Sequence, residues 1–253
     1  MVGDIHGCLD ELRDLVRLIP DQYQILFLGD LIDRGPNSPG VVEFVYKLCK
    51  SGRARAVRGN HDENMLRYLT RDQRSGTNAM RAPHPIRLAE WNAIAAHPEW
   101  IEWLQSLPSY IEFRPNFFAV HAGALTTQPV ATQKPNNHTN LRYVDLVDNN
   151  KVRHMNEKFE QPEGSAYWVD VYRAPNTVFY GHHVHSMEKP HTKYHHFLPD
   201  GNAHYTCGVD TGCVYGGKLS AVLVPEVAPF SPTFISVPSR RTYWNNHLLC
   251  QAI

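Results

Sequence analysis

The chain is 253 residues long, enough for one sizeable hydrophobic core or two small ones. Its 42% hydrophobic and 20% charged residues exclude intrinsic disorder, collagen and coiled coil. Lysine plus arginine and aspartate plus glutamate number 25 each, so gross charge draws the chain neither to nucleic acid nor to an anionic membrane, and any phosphate chemistry has to come from locally placed groups. Histidine is the odd count, at 15.

Leu9, Leu12, Leu15, Val16 and Ile19 share one face at helical spacing, which predicts an amphipathic helix over 9–19. Tyr23–Leu28 is an almost unbroken apolar run ending at Gly29-Asp30, as a buried strand does ahead of a functional loop. A second helix is expected over 41–50, after Pro36 and Pro39, and a second short strand over 54–57 ending at Arg58-Gly59-Asn60-His61. This alternation is the pattern of an α/β layered fold, in which ligands collect outside the carboxyl ends of the strands.

Residues 65–107 read as a helical insertion, with Trp91, Trp100 and Trp103 as core anchors and Pro83, Pro85 and Pro98 as breaks. A hairpin over 110–121 delivers His121-Ala122-Gly123. Residues 126–164, rich in Pro, Asn, Gln and Thr, are expected to form a long surface segment with one helix, and such a length is usually functional. A strand over 177–180 ends at Gly181-His182, and 204–209 and 218–224 read as paired strands around the glycine-rich turn 210–217. No linker or internal repeat divides the chain, so one domain over 1–253 is expected.

Cys8, Cys49, Cys207, Cys213 and Cys250 are odd in number and scattered, which points to a reducing, intracellular and cytoplasmic setting rather than a secreted disulfide scaffold. No apolar run reaches the roughly 18 residues of a membrane helix. Met-Val-Gly-Asp leaves almost no strand ahead of the first motif, so the natural N-terminus is expected to lie further upstream.

Five motifs carry chemistry: Gly3-Asp4-Ile5-His6-Gly7, Gly29-Asp30-Leu31-Ile32-Asp33-Arg34-Gly35, Gly59-Asn60-His61-Asp62, His121-Ala122-Gly123 and Gly181-His182. Each sets Asp, Asn or His at a strand end among glycines that permit tight turns and close approach. Taken singly, each polar residue is as well explained as a cap or turn residue. Together, carboxylates, an amide oxygen and imidazoles suit borderline-to-hard divalent metals, and clusters from several strands suggest a two-metal centre. His183, His185, His191, His195 and His196 match no ligand position and read as surface or supporting residues.

In order and spacing these motifs resemble the phosphoprotein phosphatase superfamily of metallophosphoesterases, over nearly the whole chain. Gly3–Leu15 and Val209–Leu219 are similar to its bacterial-type branch, the diadenosine tetraphosphatases and their eukaryotic relatives. The resemblance implies a calcineurin-like αββα sandwich with two divalent ions, manganese foremost and iron, zinc or cobalt as alternatives. It implies that Asp4, His6 and Asp30 hold the first metal, that Asp30, Asn60, His121 and His182 hold the second, and that a metal-bridging hydroxide attacks phosphorus in line. By the same resemblance His61 is the general acid, Asp33 orients its ring, and Arg34 grips the phosphate. A second arginine is expected, with Arg142 the candidate and Arg58 the fallback.

The function implied is hydrolysis of a phosphoanhydride in a dinucleoside polyphosphate. Protein serine/threonine phosphatase activity, or hydrolysis of mRNA caps or inorganic polyphosphate, are the alternatives with the same site. A silent scaffold would be expected to have lost Asp33, His61 or Arg34, and all three are present.

Overall fold

The computed structural model describes residues 1–70, 84–148, 151–153, 160–197, 203–226 and 232–245. The first half runs α1 (Leu9–Leu18), β1 (Ile25–Phe27), α2 (Ser38–Lys50), β2 (Ala54–Ala56), α3 (Asn60–Leu69), α4 (Pro85–Ala95) and α5 (Pro98–Ser106). The hairpin β3 (Tyr110–Arg114) and β4 (Phe117–Val120) follows, then α6 (Pro135–Asn140), β5 (Tyr143–Asp145), β6 (Val152–Arg153), β7 (Ser165–Tyr167) and α7 (Trp168–Val171). The remaining strands are β8 (Thr177–Tyr180), β9 (His191–Phe197), β10 (Ala203–Gly208), β11 (Lys218–Leu223) and β12 (Thr233–Pro238).

Two main sheets form. In the first, β1 pairs parallel with β2, β11 pairs antiparallel with β12, and Val2 joins the pairs by bridging Phe27 and Ala221. The second has the order β3-β4-β8-β10-β9, with β4, β8 and β10 parallel.

Strand periodicity explains the layers, because successive side chains leave opposite faces. Ile25 and Phe27 pack under α1, α2 and α4 with Leu12, Val41 and Trp91. Leu26 and Leu28 face the other way, onto Phe117, Ala119 and Phe179 of the second sheet. On that sheet's far face Phe118, Val120, Val178 and Tyr180 meet Leu141, Trp168 and Tyr172. The result is helix, sheet, sheet, helix: the αββα arrangement expected.

Three local readings change. Pro85 and Pro98 do not break helices but open them, in the first turn where a missing N–H costs nothing, and Pro39 lies within the first turn of α2 rather than ahead of it; Pro83 lies outside the described residues. The strands on either side of 210–217 are not partners, since β10 pairs with β8 and β9 whereas β11 pairs with β12. The glycine-rich segment therefore carries the chain from one sheet to the other. Residues 126–148 and 160–164 are not a surface excursion either: Val130, Leu141 and Val144 are buried, and β5 centres a small sheet with β6 and β7. Cys8, Cys49, Cys207 and Cys213 are free thiols, and no described helix is long and apolar enough to cross a membrane.

Candidate metal centre

The sequence motifs converge at one edge of the sandwich. Asp4 and His6 follow Val2, Asp30 follows β1, Asn60 and His61 open α3 behind β2, His121 follows β4 and His182 follows β8. The convergence depends on backbone lying almost on top of its neighbour. A Cβ on Gly59 would stand 2.1 Å from the Asp30 amide nitrogen, and one on Gly181 would stand 2.1 Å from Asp4 Oδ1. His6, Asp30, Asp33, Arg34 and His182 all adopt positive φ, between 46° and 74°. Such backbone is uncommon outside glycine and gathers at functional sites.

Asp30 is the shared member of two donor groups, one with His6 and His61 and the other with His121 and His182. Within each group the ligand-type atoms lie within 4.8 Å of one another. His6 Nδ1 donates to the Ile32 carbonyl at 2.8 Å and His121 Nδ1 to the Leu28 carbonyl at 2.7 Å. A carbonyl can only accept, so in the neutral rings both Nε2 atoms carry a lone pair. His121 Nε2 then faces two oxygens, Asn60 Oδ1 at 3.0 Å and Asp30 Oδ1 at 3.4 Å, while His182 Nδ1 also lies 3.0 Å from Asn60 Oδ1. Lone pairs turned on one another in a buried space are the donor set of a cation, and imidazoles fixed by N–H bonds to carbonyls are the usual supports of metal ligands.

Charge tells the same story. Burial, followed by repulsion from Asp210 and Asp30, pushes the Asp4 carboxyl well above its usual range, and burial raises Asp30 to about 7. Burial lowers His121 to about 4 and holds His6 and His182 well below 6.5, with Arg34 and Arg142 adding to the effect. The residues fit divalent ions: the carboxylates crave a cation and the imidazoles are kept neutral to ligate one.

His61 stands beside this cluster with its ring fixed on both sides. Nδ1 lies 2.5 Å from Asp33 Oδ2, and Nε2 lies 2.9 Å from the Arg34 guanidinium. Arg34 also reaches His6 Nε2 at 2.6 Å and lies over the Tyr215 ring. Asp33 is 1% exposed and is held by helix α4: the Trp91 indole donates to Oδ1 at 2.8 Å and Arg87 Nε lies 3.3 Å from the same oxygen. Its own N–H donates to Ser38 Oγ, which donates in turn to Glu90. Trp91, expected as a core anchor, is thus also a polar support.

Arg142, the candidate second arginine, reaches the opposite end of the cluster, 3.3 Å from His182 Nε2 and 3.0 Å from His183 Nδ1. Arg58, the fallback, is turned away and donates to the carbonyls of Gln105 and Leu107 at the end of α5. Beyond Arg142 the histidine-rich stretch is not simply surface. His183 packs on Tyr167 and His185, and His185 stacks on His191 with centroids 4.4 Å apart. Burial brings His183 to about 2 and His185 to about 3, so this column is neutral at physiological pH.

Asp210 and Asp62 were not singled out as site residues. Asp210 follows β10 as Asp30 follows β1, is 7% exposed, and acts electrostatically on Asp4; an aspartate just past a strand end and ahead of a glycine-rich turn was the available signal. Asp62 accepts from the amides of Gly59 and Leu31, stitching the α3 turn to the Asp30 loop.

A two-sheet sandwich with Asp, His and Asn gathered at its strand ends is the architecture of a metallophosphoesterase. The chain belongs to the calcineurin-like phosphoesterase family, whose profile matches residues 1–220, and it is a hydrolase. It is 26% identical over 95% of its length to the bis(5'-nucleosyl)-tetraphosphatase PrpE [asymmetrical] of Halalkalibacterium halodurans, covering 94% of that protein. The same-named protein of Oceanobacillus iheyensis is 27% identical, with 96% and 93% covered. Among solved structures, a candidate diadenosine tetraphosphatase superposes with TM-score 0.67 at 29% identity, covering 97% of this chain and 93% of that one. A Saccharomyces cerevisiae protein serine/threonine phosphatase, at 16% identity and TM-score 0.52 over 93% and 78% of the chains, shares the fold.

Proposed function

We propose that the chain hydrolyses a phosphoanhydride bond of a dinucleoside polyphosphate, with Asp4, His6 and Asp30 holding one divalent metal and Asp30, Asn60, His121 and His182 a second. The observation that carries the reading is the buried set of opposed lone pairs around Asp30 and Asn60, with a guanidinium at each end. Manganese leads among the metals this donor set suits, with iron, zinc and cobalt behind it. Bound there, two such ions would supply positive charge to polarise the phosphoryl group and to lower the pKa of an attacking water.

The chain's own residues do the rest. Arg34 holds non-bridging oxygens and stabilises charge as it develops in the transition state, and Arg142 holds substrate oxygens from the opposite end. His61, oriented through Nδ1 by Asp33, presents Nε2 to the leaving oxygen and protonates it. Asp33 in turn keeps its position through Trp91, Arg87 and Ser38.

The tetraphosphatase relatives support a dinucleoside polyphosphate over a phosphoprotein, a capped RNA or inorganic polyphosphate. An asymmetrical cut of a four-phosphate bridge leaves one phosphate on one nucleoside and three on the other. The test is a substrate panel of diadenosine tetraphosphate, capped RNA, polyphosphate, a phosphopeptide and p-nitrophenyl phosphate, with Mn, Co or Zn supplied. Diadenosine tetraphosphate is expected to give the highest kcat/KM, and Asp30→Asn to abolish metal-dependent turnover while the fold persists. Wild-type protein inert toward the whole panel would overturn the reading.

A further inference from the structure

Arg34 lines more than the candidate centre. A groove of about 350 Å³ runs between Arg34, Gly35 and Pro36 on one side and Arg241, Thr242 and Tyr243 on the other. That volume lies within the range of small-ligand sites. Its far wall, residues 239–244, is a strap fastened at several points. Ser239 N–H donates to the Gly217 carbonyl at 2.8 Å, and the N–H groups of Tyr243 and Trp244 both donate to the Val214 carbonyl at 3.0 Å. The Tyr243 hydroxyl and the Arg240 N–H both donate to Glu11 Oε1, at 2.7 and 2.9 Å.

The two arginines of the strap are used differently. The Arg240 guanidinium pairs with two carboxylates of α1, Asp10 at 2.7 Å and Asp14 at 2.9 Å. Arg241 lines the groove and has no carboxylate partner among the described residues; its guanidinium lies 5.1 Å from the Tyr243 ring centroid. With Arg240 engaged by the carboxylates of α1, the groove is lined by two further arginines and Thr242, residues that suit an anion longer than one phosphate.

The groove's position fixes which part of a substrate it would meet. Arg34 joins it to His61 Nε2, the atom assigned to protonate the leaving oxygen. We infer that the groove between Arg34 and Arg241 binds the phosphates of the leaving group that lie beyond the scissile bond, with Arg241 as their anchor. This rests on the phosphoanhydride reading above and gives it a physical basis for selectivity. A leaving group that is itself a phosphate chain carries charge for Arg241 to hold; a serine hydroxyl or a nitrophenol carries none.

The experiment compares wild type with Arg241→Ala and Arg241→Lys. Inhibition of p-nitrophenyl phosphate hydrolysis is measured for inorganic tripolyphosphate and for orthophosphate, with divalent metal in excess over either anion. Tripolyphosphate inhibition is expected to weaken about tenfold more than orthophosphate inhibition in Arg241→Ala, the scale of one partly exposed charge-assisted contact, and to be largely retained in Arg241→Lys. The ratio of kcat/KM for diadenosine tetraphosphate to that for p-nitrophenyl phosphate falls by a similar factor. Inhibition constants for the two anions that move together, or not at all, overturn the groove assignment. Wild-type protein that hydrolyses p-nitrophenyl phosphate but not diadenosine tetraphosphate would instead sink the substrate reading, and the tripolyphosphate comparison would still decide the groove.

Discussion

At one end of the candidate centre Arg34 is braced by neighbours that are themselves braced; at the other, Arg142 leans on rings. Arg34 touches His6 and His61, His61 is pinned to Asp33, and Asp33 is gripped from α4 by Trp91 and Arg87. Arg142 meets His182 and His183, which open onto a neutral aromatic column, and its buried Nε has no hydrogen-bond partner. The same functional group is thus held with different stringency. Geometry that must be exact to act on a transition state belongs at the Arg34 end, whereas contacts that recognise a substrate tolerate the looser end.

Substitutions can break or sharpen this contrast. Arg34→Ala is expected to lower kcat by about 10²–10³, the usual scale for losing a group that stabilises transition-state charge. Arg142→Ala should cost about tenfold, mainly in KM, as a contact made equally to ground and transition states does; steady-state kinetics that show equal losses in kcat for both variants would remove the distinction. Trp91→Phe keeps the ring in the core but deletes the N–H on Asp33. A severalfold fall in kcat with KM held would mark Trp91 as a positioning residue, on the order of one hydrogen bond to a charged group.

The smallest effect on activity is expected away from both ends. His138 is buried, with Nε2 donating to the Val130 carbonyl, and burial lowers it to about 4 from 6.5. Below 6.5 the unfolded chain binds a proton that the folded chain refuses, so stability falls as pH drops from 6.5 towards 4, by about 3 kcal/mol for this group. His138→Gln, which keeps a donor for Val130, should flatten that part of the stability curve in denaturant titrations while kcat at neutral pH stays near wild type. An unchanged slope would remove His138 as the cause.

The site was legible because its residues announce themselves locally: Gly-Asp-Ile-His-Gly or Gly-Asn-His-Asp behind a strand is a short-range signal. The layers were legible for a similar reason, since alternate apolar residues in 25–28 and 117–120 serve different faces. What stayed hidden depends on distance in the chain. Trp91 meets Asp33 across 58 residues, and nothing around Trp91 distinguishes a donor from a core ring. A glycine-rich turn looks alike whether it closes a hairpin or crosses between sheets, so the separation of β10 from β11 could not be read locally. Pro85 and Pro98 carried two meanings, and only the helices that follow them decide for the first turn over a break.

The donors around Asp30 do not come from one sheet. Asp4, His6, Asp30 and Asn60 ride on the first sheet and its loops, whereas His121 and His182 ride on β4 and β8 of the second, and His182 N–H reaches Asp4 across 178 residues. The donors assigned to the first metal all ride on one sheet, but those assigned to the second straddle both, so the full centre exists only after the sheets have docked. A cation held there would bind the native state alone, fastening the sheets together and raising the unfolding temperature with its own concentration. Catalytic competence is therefore a reporter of sheet docking, and on denaturation it should vanish with the sheet interface or before it, never after.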